Sequence, residues 1–165
     1  MYGDNLFVAV KPSATYVLTS SDAITWNSVS LNSETPRAWV GVCYGNGRYV
    51  AISTSRYAAI SDDGVNWREV DIGINRVWKK ITFGKGFFCA VAKNYVITSV
   101  DGVNWNETSL TGSWTNVCFH DNQFVGVATD TATTDTVFTL TNSSTSTTLI
   151  AAFKYILDRL SSLSA

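Results

Sequence analysis

The sequence predicts an all-β chain of repeated four-stranded antiparallel units of the β-propeller type, about three and a half of them, followed by one amphipathic C-terminal helix. Three observations predict it. A Ser-x-Asp-Gly-x-x-Trp segment occurs three times. Its tryptophans, Trp26, Trp67 and Trp105, are 41 and 38 residues apart, the length of one four-stranded blade. Between the copies lie short runs rich in Val, Ile, Tyr, Phe and Trp, separated by Gly, Asn and Asp, which is the pattern of strands and tight turns.

The copies read Ser20-Ser21-Asp22-Ala23-Ile24-Thr25-Trp26, Ser61-Asp62-Asp63-Gly64-Val65-Asn66-Trp67 and Ser99-Val100-Asp101-Gly102-Val103-Asn104-Trp105, with Ala23 replacing glycine in the first. A second tryptophan opens the next strand each time, at Trp39, Trp78 and Trp114, so all six tryptophans occupy two repeat positions. Strands are expected at 39–44, 48–53, 57–61 and 66–72, then at 78–83, 87–92, 95–99 and 104–110, and again at 114–119 and 123–129. The start fits too, because Tyr2 to Val10 aligns with Tyr44 to Ile52, and the first unit is expected to lack its opening strand. The last unit loses the motif within a Thr/Ser-rich stretch, where Val137 to Leu140 reads as a strand. This places a repeat domain at 1–141 and a Ser/Thr-rich linker at 142–148.

Residues 149–163 have helical period. Ile150, Phe153, Leu157 and Leu160 step by three and four, and Leu149, Ile156 and Leu163 flank that seam. Such a stripe must pack either on the β body or on other copies, and a homo-oligomer, a trimer first among them, is the expected outcome.

Within each motif the carboxylate can accept backbone N–H groups of its own turn, the glycine permits positive φ, and the indole covers the hairpin. Each turn offers only one or two carboxylates, too few for a calcium loop, so no metal and no cofactor is expected. This pattern resembles the Asp-box, or BNR-like, repeats of sialidases, sortilin-type receptors and phage surface proteins. The resemblance covers residues 2 to about 128. It implies a propeller fold in which Ser20, Asp22, Trp26, Ser61, Asp63, Gly64, Trp67, Ser99, Asp101, Gly102 and Trp105 are structural and lie away from any active centre.

A sialidase-like hydrolase is one functional expectation, because that family gathers arginines around a carboxylate with a Tyr/Glu pair and an Asp. Arg37 and Arg76 sit two residues before Trp39 and Trp78. Glu69 and Glu107, however, share a repeat position suited to an outer strand, and the chain is short for a sialidase ring. His120 stands in a turn where other units carry Gly45 and Gly84, with no nucleophile tied to it. No enzyme is expected. A lectin-like module is the second reading, with Trp39, Trp78, Trp114, Arg37 and Arg76, or Tyr57 and Tyr95, against a cell-surface glycan. The third, and the one the resemblance favours, is a virion component such as a tail or head fibre that binds a host receptor alongside other virion proteins.

With 12 basic and 13 acidic residues and a net charge of −1, no basic patch points to nucleic acid. No apolar run approaches membrane-spanning length, and no basic n-region marks a signal peptide at the first residues. Cys43, Cys89 and Cys118 fit neither a zinc spacing nor a disulfide framework, and all three are expected as buried thiols in strands.

Overall fold

The computed structural model describes residues 1–129 and, as backbone, residues 136–141. Fourteen strands form there: β1 (Tyr2–Gly3), β2 (Leu6–Val10), β3 (Pro12–Ala14), β4 (Tyr16–Ser20), β5 (Asn27–Ser30), β6 (Arg37–Gly45), β7 (Arg48–Ser53), β8 (Tyr57–Ser61), β9 (Arg68–Asp71), β10 (Lys80–Gly84), β11 (Phe87–Ser99), β12 (Asn106–His120), β13 (Gln123–Ala128) and β14 (Thr136–Thr141). Every pairing is antiparallel. The expected helix at 149–163 lies outside the described residues, and among the described residues there is no helix.

The strands order as β1-β2-β4-β5, as β3-β6-β7-β8-β9, and as β10-β11-β12-β13-β14. The third sheet holds two units joined through β12. β10 pairs with the first half of β11, whose second half pairs with the start of β12; the end of β12 then pairs with β13, and β13 with β14. Asn94, at φ 63°, marks the corner between the halves of β11. Four blades result: β1, β2, β4 and β5; β6 to β9; β10, β11 and the start of β12; and the end of β12 with β13 and β14. Two features were not anticipated. β3 crosses from the first blade to pair with the start of β6. A register shift also follows the first-strand tryptophan in blades 2 and 4, between Trp39 and Gly41 and between Trp114 and Asn116, the kind of bulge that re-aims a side chain.

The core runs along the joints between blades. One cluster joins blades 1 and 2 through Val8, Leu31, Trp39 and Trp67. A second joins blades 2 and 3 through Ile52, Ile72, Trp78 and Phe88, and a third joins blades 3 and 4 through Val91, Leu110, Trp114 and Phe124. In every blade an aromatic near the end of the first strand faces one on the second. The pairs are Tyr2–Phe7, Tyr44–Tyr49, Phe83–Phe88 and Phe119–Phe124, with ring centroids 4.6, 4.6, 4.9 and 4.8 Å apart. Tilted cross-strand pairs of this kind add roughly 0.5–1.5 kcal/mol each beyond burial.

The same first-strand aromatic also closes the joint to the preceding blade. A Cβ on Gly3 would lie 2.5 Å from Tyr44 Cγ, one on Gly45 2.1 Å from Phe83 Cγ, and one on Gly84 2.1 Å from Phe119 Cγ. Each ring therefore occupies the space that a side chain would take, and glycine is required there by close approach. His120 holds the corresponding place in blade 4.

Cys43 and Cys89 are buried, and burial pushes the Cys89 thiol up to about 12. Cys118 is exposed, which corrects the expectation that all three are buried: on β12 the alternation turns Val117 inward and its neighbour outward. Gly84→Ala should displace the Phe119 ring and destabilise the protein by about 1–3 kcal/mol. A urea titration checks this, with Gly47→Ala, where no atom lies within 4 Å of the added Cβ, as the control that isolates strain at positive φ.

Candidate functional site

The three motif turns share one hydrogen-bond plan. In the second copy Ser61 Oγ donates to Asp63 Oδ1 at 3.0 Å and accepts the Gly64 N–H at 2.9 Å, while Asp63 Oδ1 accepts the N–H groups of Val65 and Asn66 at 2.8 and 2.7 Å. Trp67 Nε1 donates to Gly64 O at 2.9 Å. The third copy repeats this with Ser99, Asp101, Gly102 and Trp105. In the first copy Asp22 accepts from Ile24 and Thr25, but the Trp26 indole donates to nothing among the described residues and is 41% exposed, against 2% for Trp67. Trp67 packs in one cluster with Leu31 and Val29 of the preceding blade, and among the described residues no blade packs on Trp26 in this way.

These donors hold the carboxylates ionised. The Thr25 and Ile24 N–H groups bring Asp22 down to about 2, and the Asn66 backbone and amide hold Asp63 below the ordinary range. Burial pushes Asp101 up, but the N–H groups of Asn104 and Val103 outweigh it and the net shift is downward. Among the described residues no group of three or more His, Cys, Asp or Glu side chains gathers to hold a metal ion.

The opposite end of the blades, where first strands begin, carries a second repeated device. Arg37 donates from Nε and Nη2 to both carboxylate oxygens of Glu69, each at 2.9 Å, and its guanidinium lies 3.7 Å from the Tyr57 ring centroid. Arg76 lies 4.1 Å from the Tyr95 ring but reaches Glu107 by a single contact of 3.2 Å. The two arginines sit in separate blades, each clamped between an aromatic face and a carboxylate of its own blade. Glu69 and Glu107 are thus ion-pair partners, more than outer-strand surface residues. The clamps differ in completeness: the Nε–H of Arg37 is bonded to Glu69, whereas Arg76 Nε is buried with no partner among the described residues.

Trp39, Trp78 and Trp114 are 1%, 0% and 1% exposed. Stacking on a sugar needs an open ring face, so the expectation that these indoles bind a ligand gives way to a packing role in the joints. Trp39 Nε1 donates to Ala14 O and Trp114 Nε1 to Leu110 O; Trp78 Nε1 has no partner among the described residues.

Beside Arg76, between blades 3 and 4, lies an open cleft of about 540 Å³. Val77, Ala92 and Trp114 contribute apolar lining, and Arg76, Lys79 and Lys93 contribute three cations, with no carboxylate among the lining residues. Lys79 and Lys93 are exposed and form no ion pair among the described residues. The arrangement suits a short segment that presents a negative group beside an apolar one. Lys79 and Lys93 were missed from sequence because each looks like an ordinary surface lysine; only the fold brings a loop residue and a hairpin residue to one rim.

No family model and no curated protein matches the sequence. Solved structures match in shape. YCF48 bound to a D1 peptide aligns with a TM-score of 0.61 at 14% identity, over 81% of this chain and 46% of that one. YCF48 from Cyanidioschyzon merolae gives 0.53 at 15%, over 81% and 51%, and BamB from Moraxella catarrhalis gives 0.55 at 9%, over 78% and 39%. The chain spans about half the length of these neighbours or less. They are β-propeller proteins, and the likeness shows that this chain has the propeller fold.

The depressed carboxylates set a pH dependence. A carboxylate whose folded value lies below its ordinary 3.8 contributes stability that is present above that value and lost as pH falls through the folded one. The melting temperature should hold down to about pH 4 and fall towards pH 2. Asp63→Ala should lower it at neutral pH and make the acid decline shallower, as read by thermal melts across that range.

Proposed function

We propose that the chain is a non-catalytic, protein-binding propeller module that holds a short acidic or carboxylate-bearing peptide segment in the cleft between blades 3 and 4. The carrying observation is the cleft itself, with three cations around an apolar lining, one of them an arginine whose clamp is only half made. A neighbour of the same fold with a peptide bound supports the class of ligand. Rigid blades with a shallow cleft at one end suit recognition of a segment through a few fixed groups.

The binding is expected to be modest and salt-sensitive, because Lys79 and Lys93 act from the surface, where each charge contributes roughly 0.5–1 kcal/mol. A narrower reading, a phage-particle appendage reaching a host-surface receptor, draws its support from the Ser-x-Asp-Gly-x-x-Trp resemblance; a cell-surface glycan would then be the ligand.

A peptide array of acidic, neutral and basic sequences, with a glycan array beside it, separates these. Acidic peptides carrying an apolar residue should bind, and Lys79→Ala with Lys93→Ala should weaken them by about fivefold. Indifference to that pair of substitutions overturns the cleft assignment, and glycan binding without peptide binding favours the appendage reading. Turnover of a fluorogenic sialoside should be nil; measurable hydrolysis refutes the non-catalytic reading.

A further inference from the structure

We propose that the leading flank of blade 1 fits the trailing flank of blade 4 of a second copy, so that two chains dock head to tail and close a single ring.

The argument starts from the internal joints, which all have one form. The first-strand aromatic of the following blade fills the space over a glycine of the preceding blade: Tyr44 at Gly3, Phe83 at Gly45, Phe119 at Gly84. Where the following blade carries a motif glycine, that glycine meets the second strand of the preceding blade. A Cβ on Gly64 would lie 2.4 Å from Leu6 Cδ2, and one on Gly102 2.6 Å from Val50 Cγ2. Polar contacts bridge the same joint between blades 2 and 3, where Asn46 Nδ2 donates to Gly86 O and Val100 O, and Arg48 Nη1 to Asp101 O. Each blade therefore has a leading flank and a trailing flank of fixed shape.

Blade 1 shows its leading flank to solvent. Tyr2 is 54% exposed and Trp26 41%, although their counterparts Tyr44 and Trp67 are covered by the blade before them. Among the described residues no core cluster and no strand pairing joins blade 4 to blade 1. The aligned part of the chain matches 46% of the length of one β-propeller protein and 39% of another, so two copies supply about the length of one such propeller. Placed head to tail, two copies bring together the same leading and trailing flanks that meet inside each chain.

The joint between copies differs from the internal ones at two places. His120 stands where the trailing flank elsewhere has glycine, and Ala23 stands where the leading flank has Gly64 or Gly102. Each adds a Cβ at a contact that internally has no room for one, so the docked copy sits less closely and the dimer dissociates on dilution. A heterologous contact that closes after two copies stops there instead of extending into a filament.

The test is sedimentation of the full chain, in reductant because of exposed Cys118, over about three decades of concentration. A reversible monomer–dimer equilibrium is expected. Tyr2→Glu with Trp26→Glu should weaken it at least tenfold with the circular dichroism unchanged, and Ala23→Gly with His120→Gly should tighten it. If the glutamate pair fails to fold, the glycine pair carries the test alone. A monomer at every concentration overturns the proposal, and so does a dimer indifferent to both pairs. A trimer insensitive to them also overturns it, and would point to the seam at 149–163. The readout is mass alone, so failure here leaves the peptide-cleft reading standing, and failure of peptide binding leaves this one standing.

Discussion

The arrangement depends on a glycine that lets an aromatic ring come within contact distance of a neighbouring backbone. Sheets stacked around an axis approach most closely at their first strands, and a side chain at Gly3, Gly45 or Gly84 would hold them apart. Because the ring that fills this space also faces an aromatic of its own blade, one side chain fixes both the local hairpin and the joint to the next blade. The tryptophans fill the same joints with bulky apolar side chains from both neighbouring blades.

The strands were legible because they obey local rules. Strands β7 and β8 begin and end where the alternation and the turn residues put them, and β14 covers the short apolar run Val137 to Leu140 inside a polar stretch. The shared β12 was less legible. Its two halves were expected as separate strands, and Gly112, at φ 142°, lets the backbone turn a corner without leaving the ladder. The inter-blade pairing of β3 was hidden for a related reason: Pro12 and Ser13 carry turn chemistry, and only the nearness of the next blade draws them into a sheet.

The functional side chains were readable as a list and unreadable as an arrangement. Repeat spacing puts Arg37 and Arg76 at one end, as the structure places them, but it treats them as equivalents. Their difference lies in geometry: a bidentate pair in one blade and a single longer contact in the next. Small departures from a repeat are where one blade can acquire a task its neighbours lack, since the shared plan already secures the fold. The tryptophans show the converse. Their residue type suggests sugar stacking, yet the packing of one blade on the next buries Trp39, Trp78 and Trp114 in the joints.

β12 has a mechanical consequence. Blades 1 and 2, and blades 2 and 3, are linked through segments outside the strands around residues 31–36 and 72–79, whereas blades 3 and 4 share one strand with a bend at Gly112. Fraying of the last blade therefore cannot stop at a linker: peeling away the end of β12 tugs directly on the outer ladder of the blade before it. Blades 3 and 4 form one cooperative unit, and the walls of the cleft between them open or stay shut together.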